Sequence, residues 1–130
     1  MICLALDYDP FAVAADWMLI DGSSLMFRAF YGLPVAGFKA PNGQPVNAVR
    51  GFLDMLARLV TDRKPCALAV ATDEDWRPAF RVNVIPSYKT ARLERGAMPA
   101  ELEPQEPIIR QALAAIGVEV IGSEGFEGRT

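Results

Sequence analysis

Residues 17–24, WMLIDGSS, contain the feature that decides the fold, a continuous apolar run that ends in an acidic residue and a glycine. A short apolar run bounded by a turn signal is typical of a strand buried inside a sheet. The pattern recurs at residues 66–73, CALAVATD, and in shorter form at residues 118–121, VEVI. Each of these three runs predicts one strand.

Amphipathic segments separate the three predicted strands. Apolar residues at helical spacing predict one helix over residues 46–62 and another over residues 108–116. Ser23 and Ser24 are suitable N-cap residues for a further helix over residues 25–31. Strands that alternate with helices imply βαβ crossovers, so the predicted fold class is α/β, a doubly wound and mainly parallel sheet.

Length and composition exclude several classes of function. The chain has 130 residues, of which 52% are hydrophobic and 22% charged, and this composition is typical of one globular domain. No apolar run approaches the ~20 residues that a membrane span requires. Two cysteines cannot build a disulfide framework and favour a reducing, cytoplasmic compartment. Because the sequence has no histidine, Ser-His-Asp catalysis, Cys-His catalysis and His-ligated metal sites are excluded.

The first residues differ from the rest of the chain. Residues 1–16 show no clear periodicity. The early Asp7 and Asp9 and the lack of a basic flank argue against a secretory signal. We therefore expect a loosely attached leader over residues 1–16 and a domain over residues 17–130.

Three carboxylates follow the three predicted strands. Asp21 ends the first strand, Asp73 follows the second, and Glu127 lies in the loop after the third. Sites in such sheets lie at the carboxyl ends of the strands, and carboxylates without histidine suit Mg²⁺ or Mn²⁺. Pairs of such ions suit phosphoryl transfer. An Asp-Gly turn, a helix cap and a frayed tail are the structural alternatives for the same three residues.

A short basic segment stands out in a chain of net charge −3. Residues 76–95 contain five basic side chains against the single acidic Glu94, which indicates an anion or phosphate contact or else a solvated helix face. Within this segment Tyr88 is suited to stacking on a base. Lys89 and Arg92, three residues apart on a predicted helix, would share one face.

Several ordered segments together resemble one known family. They are LIDGSS (19–24) with FRAF (27–30), PNGQPVNAVRGF (41–52), ATD (71–73), FR (80–81) with YKTAR (88–92), and GFE (125–127). This set resembles the bacterial 5′–3′ exonucleases, the flap-endonuclease-like domain that occurs at the N-terminus of DNA polymerase I and as a free-standing protein. Thr72 stands where that family usually has Phe.

The resemblance implies a function and a role for each matching residue. It implies metal-dependent hydrolysis of a phosphodiester near a free 5′ end or flap of DNA, in replication and repair, with Mg²⁺ or Mn²⁺ as cofactor. Residues 76–104 would form the region of the helical arch. The implied metal ligands are Asp21, Asp73 and Glu127, the implied catalytic residues are Asp21, Asp73, Lys89 and Arg92, and the implied DNA contacts are Arg28, Phe80, Arg81, Tyr88, Lys89 and Arg92.

The match breaks off after residue 127. The family continues there with an alanine and two aspartates, whereas this sequence has Gly128, Arg129 and Thr130. We interpret the chain as the N-terminal part of a nuclease domain, truncated or frameshifted, with weak or no activity alone and a possible separate chain supplying the missing half. A non-enzymatic DNA-binding remnant and a PIN-like ribonuclease are the alternatives.

Overall fold

The computed structural model describes residues 2–3, 17–74, 77–91 and 98–127. It has four strands, β1 (Ile2–Cys3), β2 (Trp17–Asp21), β3 (Ala67–Ala71) and β4 (Glu119–Ile121). Its described α-helices are α1 (Gly22–Gly32), α2 (Asn47–Arg63), α3 (Ala79–Val84) and α4 (Gln105–Ala115), and a 3₁₀ turn covers Val35–Gly37. The strands and the two long helices predicted from the sequence are confirmed to within a few residues.

The sheet is built around β3. Strands β2 and β4 pair with β3 in parallel, with Ile20 beside Val70 and Val70 beside Val120. Strand β1 pairs with β3 antiparallel, Ile2 lying beside Leu68. The predicted α/β fold with a mainly parallel sheet is therefore confirmed.

Of the expected leader, residues 1–16, only Ile2–Cys3 lies among the described residues, and the loose attachment of the leader stays a prediction. Ile2–Cys3 forms a strand on β3, and backbone pairing of this kind attaches it to the sheet. The rest of the predicted leader, residues 4–16, lies outside the described residues.

The described helices α1, α2 and α4 pack on one face of the sheet. Ile20, Leu68 and Val70 point to this face and belong to the same buried cluster as Phe52 of α2 and Ile109 of α4. Side chains alternate along a strand, so the intervening residues point the other way. Of these, Trp17, Leu19 and Ile121 are 57%, 69% and 48% exposed. We call the surface formed by Trp17, Leu19 and Ile121 the bare face.

Helix α1 begins earlier than expected. It starts at Gly22, directly after β2, and its N-cap is Asp21 instead of the predicted Ser23 or Ser24. Gly22 lies against β3 so closely that a Cβ there would be 2.6 Å from Val70 Cγ1 and 2.9 Å from the Ala71 carbonyl oxygen. Only glycine permits this approach, and it brings the start of the helix to the end of the sheet.

A buried amide pair joins the three long helices. The side-chain oxygen of Gln105, in α4, accepts a hydrogen bond from the backbone N–H of Ala48 (2.8 Å), and its amide nitrogen donates to Asn47 Oδ1 (2.8 Å). The Asn47 amide in turn donates to the carbonyl oxygens of Phe30 (2.9 Å) and Leu33 (3.0 Å) at the end of α1. A side chain from α4 thus caps the N-terminus of α2, where backbone donors have no partner within the helix.

Candidate functional site

Asp21 and Asp73 lie at the carboxyl ends of adjacent parallel strands. Asp21 is the last residue of β2 and pairs in register with Ala71, the last residue of β3, two residues before Asp73. The Asp73 amide donates a hydrogen bond to Ser23 Oγ (3.2 Å), which ties the loop after β3 to the start of α1. The Asp21 carboxylate accepts hydrogen bonds from the backbone N–H (3.1 Å) and the hydroxyl (2.8 Å) of Ser24. The two aspartates are therefore held at one edge by the same turn of helix.

The segment that contains Glu127 reaches the same edge. After β4 the chain runs beside the loop that follows β3, because the Thr72 amide donates to the Ile121 carbonyl oxygen (2.8 Å) and the Glu74 amide to the Phe126 carbonyl oxygen (3.3 Å). The backbone of Glu127 is thus next to the loop of Asp73. This follows from the parallel pairing of β3 and β4, since the segments after two parallel strands begin at the same edge of the sheet.

The Glu127 carboxylate is held by a group of basic and phenolic side chains, which we call the basic cluster (Arg81, Tyr88 and Lys89). Its Oε2 accepts a hydrogen bond from the Tyr88 hydroxyl (2.8 Å) and lies 3.1 Å from Arg81 Nη1. Its Oε1 forms an ion pair with Lys89 Nζ. The side chain of Glu127 is only 5% exposed, so this carboxylate is almost fully enclosed by its partners.

This arrangement separates Glu127 from the two aspartates. Among residues 2–3, 17–74, 77–91 and 98–127, no three acidic, histidine or cysteine side chains form a group able to hold a metal ion. The structure thus brings the backbones of Asp21, Asp73 and Glu127 to one edge, while the Glu127 carboxylate lies against cations. The role of the three residues as metal ligands stays a prediction.

Arg77 shapes the turn that contains two members of the basic cluster, Tyr88 and Lys89. Its Nε donates to the Tyr88 carbonyl oxygen (2.8 Å) and its Nη2 to the Pro86 carbonyl oxygen (2.9 Å). Lys89 in this turn has φ of +56°, a left-handed conformation that is uncommon for any residue other than glycine. Sequence analysis identified Arg77 only as one of several basic residues. Its role in holding the turn could not be predicted, because the two carbonyl groups it binds come together only in the folded turn.

The predicted helical face of Lys89 and Arg92 is corrected by this turn. Lys89 precedes the helical residues 90–91 and lies in the turn, since its backbone conformation is left-handed. Arg92 lies outside the described residues, so its predicted role is retained only as a prediction.

Aromatic rings extend the basic cluster. The Phe80 and Phe126 ring centroids are 5.6 Å apart, and the Arg81 guanidinium lies 5.6 Å from the Phe80 centroid and 5.5 Å from that of Tyr88. Lys89 Nζ is 5.2 Å from the Tyr88 centroid. Such cation–π distances stabilise the cations beside the rings. Phe80 remains 43% exposed, which leaves ring surface available for stacking.

A groove of about 700 Å³ runs along β2 beside Asp21. Arg28, a predicted DNA contact, lines this groove together with Ser24 and Arg63. Sequence analysis did not single out Arg63, which directly follows the predicted helix over residues 46–62 and is the last residue of the observed α2. The groove therefore joins one carboxylate of the edge to two cations.

Glu74 fixes the loop of Asp73 to helix α4. Hydrogen bonds from the Thr72 hydroxyl (2.9 Å) and from Arg110 Nη2 (3.2 Å) hold the pKa of the Glu74 carboxyl below its ordinary value. Arg110 also pairs with Glu106 on its own helix. Thr72 is buried, and its hydroxyl donates to Glu74.

Comparison with known proteins identifies the family of this chain. The family model described as "5'-3' exonuclease, N-terminal resolvase-like domain" matches residues 16–128. The chain belongs to this family. The resemblance drawn from the sequence segments is therefore confirmed.

Relatives of the 5′–3′ exonuclease family are similar over most of the chain. A 5′-3′ exonuclease of Mycobacterium tuberculosis is 45% identical over 119 residues, and one of Streptomyces coelicolor is 48% identical over 118 residues. Each match covers 85% of this chain but only 37% and 39% of the relative. DNA polymerase I of Mycobacterium bovis is 43% identical over 110 residues, or 12% of its length. The chain thus spans well under half of these relatives.

A solved structure supports the fold. The T5 D15 protein, co-crystallised with metal ions, superposes with a TM-score of 0.51 at 19% identity, covering 85% of this chain and 38% of that one. Among the helices that the structure describes, none is long and apolar enough to cross a membrane.

Proposed function

We propose that this chain supplies Asp21 and Asp73 to a nuclease that hydrolyses phosphodiester bonds near a free 5′ end or a 5′ flap of DNA. The observation that carries the proposal is the position of these two carboxylates at the ends of adjacent parallel strands, in a member of the 5′–3′ exonuclease family. Relatives named 5′-3′ exonuclease and DNA polymerase I support the reaction.

The donor set fits a hard divalent cation through Asp21 and Asp73. Mg²⁺ and Mn²⁺ prefer oxygen ligands, and Mg²⁺ is often held by one or two carboxylates, water and substrate phosphate. When bound, such an ion polarises a phosphoryl oxygen and lowers the pKa of water. Glu127 does not fit in the observed arrangement, because its oxygens face Arg81 and Lys89.

The chain's own residues position the two aspartates. Ser24 holds the rotamer of Asp21, and Ser23 holds the loop of Asp73 through its amide. Both serines belong to the first turn of α1, so one structural unit holds the side chain of Asp21 and the backbone of Asp73 at the same edge. Because a misplacement of about 1 Å can slow a reaction ~100-fold, this shared support is part of the proposal.

Basic and aromatic residues beside this edge are the proposed DNA contacts. Arg28 in the groove, Lys89 in the turn and Arg92 would contact or steer phosphates, with Arg81 beside them. Tyr88 and Phe80 would pack against the nucleotide. Contacts of this kind recognise the backbone and the branch shape and lose strength with salt.

The proposed partners follow from the family of the chain and from the small number of carboxylates at the edge. They are DNA with a free 5′ end or flap, in replication and repair, and a further polypeptide segment or separate chain that completes the site. The proposed compartment is the cytoplasm, where a reducing environment keeps an exposed thiol such as that of Cys66 free.

We infer that residues 1–130 alone have at most trace nuclease activity. A two-ion mechanism needs one ion to activate water and another to stabilise the leaving oxygen. Asp21 and Asp73 fill at most one of these roles. A DNA-binding function without catalysis is the second candidate, and the engagement of Glu127 with cations favours it.

The test is a cleavage assay on a 5′-flap DNA, with Mg²⁺ or Mn²⁺ and with EDTA. Asp21→Ala and Asp73→Ala are compared with Asp62→Ala, which removes an exposed carboxylate at the end of α2. We expect trace metal-dependent cleavage that both site variants abolish and the control retains. A matched RNA substrate tests the ribonuclease alternative.

Two results would contradict the nuclease proposal. Cleavage that persists unchanged in Asp73→Ala would come from a contaminant or from another site. Tight DNA binding without any cleavage above that of Asp73→Ala would favour the non-catalytic function.

A further inference from the structure

The basic cluster is already occupied by an anion that belongs to the chain. Glu127 accepts from Tyr88, lies 3.1 Å from Arg81 and pairs with Lys89, and its side chain is 5% exposed. Arg81 and Lys89 are more accessible, at 33% and 17%. The carboxylate is thus the most deeply buried of the three charged groups.

The same three donors suit a phosphate. Guanidinium and ammonium groups with a hydroxyl donor form charge-assisted hydrogen bonds with phosphate oxygens as readily as with a carboxylate. Tyr88 is also linked to Arg81, whose Nη1 donates to the phenolic oxygen (2.9 Å), so the donors form one connected set. Because Arg77 holds the turn through two backbone carbonyl groups, this set does not depend on Glu127 alone for its shape.

We propose that Glu127 is an internal competitor for the phosphate site formed by Arg81, Tyr88 and Lys89. A DNA phosphate binds this site only after the Glu127 carboxylate has left it, so the ion pairs of Glu127 lower the affinity of the chain for DNA. This inference rests on the proposed DNA-binding function and adds to it a means by which the chain restrains its own binding.

The charge balance predicts how the restraint acts. With Glu127 in place, one carboxylate offsets part of the positive charge of Arg81 and Lys89. When Glu127 is neutralised, Arg81 and Lys89 lose the one carboxylate that competes with phosphate in this cluster. Release of counterions from DNA should then increase, which steepens the salt dependence of binding by roughly one unit of slope per additional phosphate contacted.

The experiment measures binding of a 5′-phosphorylated flap DNA by fluorescence anisotropy in EDTA, which excludes any effect of a divalent cation. We expect Glu127→Gln to bind about 10-fold more tightly than wild type, since it removes the competition for the site. Its matched control is Glu124→Gln, an exposed residue in the same segment with the same change of charge. We expect less than a ~2-fold effect from that control because distant exposed charges are screened.

A second set of variants tests the competition itself. Lys89→Ala should weaken binding by less than ~2-fold in wild type but by ~5-fold or more in Glu127→Gln, because only there has the Glu127 carboxylate stopped competing with phosphate for Lys89. Glu127→Asp keeps the charge and shortens the side chain, and we expect ~3-fold tighter binding because the carboxylate no longer reaches its partners fully. Thermal unfolding of each variant checks that it is folded, and Glu127→Asp serves if Glu127→Gln does not fold.

The outcomes separate the two proposals. The competition is overturned if wild type binds DNA and neither Glu127→Gln nor Glu127→Asp binds it more tightly. It is also overturned if Glu124→Gln increases the affinity for DNA as much as Glu127→Gln does. Both results leave the DNA-binding function intact. Additive effects of Lys89→Ala and Glu127→Gln also overturn it. Failure of every folded variant to bind DNA overturns both proposals.

Discussion

The two faces of the sheet differ in what covers them. On one face, α1, α2 and α4 bury Ile20, Leu68 and Val70 together with Phe52, which is fully buried. On the bare face, Trp17 and Leu19 of β2 are more than half exposed. Parallel sheets are usually covered on both faces. Among the described residues, the exposed side chains of the bare face lie on β2 and β4, whereas Ala67 and Ala69 of β3 on the same face are buried.

The position of the candidate site follows from this difference. Asp21 and Asp73 lie at the carboxyl ends of strands that contribute every second side chain to the covered face, and Ser23 and Ser24 belong to a helix of that face. The basic cluster is built by α3 and the turn that follows it, and it is held by hydrogen bonds and ion pairs. Loss of the core should therefore disrupt the aspartates, whereas changes in the cluster should alter binding without unfolding the domain.

The largest effect is expected for Phe52→Ala on the covered face. Removing a fully buried ring should lower the free energy of unfolding by about 3–5 kcal/mol, since apolar contacts are lost and a cavity remains. Leu19→Ala is the control on the bare face, where a side chain that is 69% exposed should contribute less than about 1 kcal/mol. Urea unfolding followed by circular dichroism measures both. Equal losses would mean that the bare face is covered in solution.

A smaller effect is expected at the amide pair that joins the helices. Gln105→Ala leaves the Asn47 amide oxygen and the N–H of Ala48 without their partner, which should cost about 1–3 kcal/mol. Gln111→Ala, on the exposed side of the same helix, should change stability by less than about 0.5 kcal/mol. If both variants unfold at the same urea concentration, the cap is not a source of stability.

The smallest effect is expected from Glu74, and it depends on pH. Its folded-state pKa lies below the ordinary 4.5, because Thr72 and Arg110 donate to the carboxylate. The folded protein therefore gains stability from this group above pH 4.5 and loses the gain as the pH falls through the lower folded-state pKa. Since the side chain is 38% exposed, we expect only a few tenths of a kcal/mol.

Comparing Glu74→Gln with Glu103→Gln, an exposed residue beside α4, tests this expectation. Thermal unfolding between pH 3 and pH 7 should show a slightly shallower acid loss in Glu74→Gln than in wild type or the control. A steeper loss would mean that Glu74 titrates with a raised pKa.

Local pattern in the sequence was sufficient for the strands, the long helices and the position of two carboxylates. Apolar runs closed by acid predicted β2 and β3, and the rule that sites lie at the ends of parallel strands predicted that Asp21 and Asp73 would share an edge. These features depend on residues close in sequence and on the period of the backbone. They can therefore be predicted from the sequence without the tertiary structure.

Only the tertiary structure decided which side chains pair across long separations. Gln105 caps a helix that begins 58 residues before it, and Glu127 meets Tyr88 from 39 residues away. Glu127 was predicted to join two aspartates, and its backbone does reach their edge. Its carboxylate lies instead against Arg81 and Lys89, because α3 positions Arg81 and the left-handed turn held by Arg77 positions Lys89. The side-chain conformation of Glu127 depends on the charged groups that the fold places around it. The spacing of residues in the sequence does not show which groups these are.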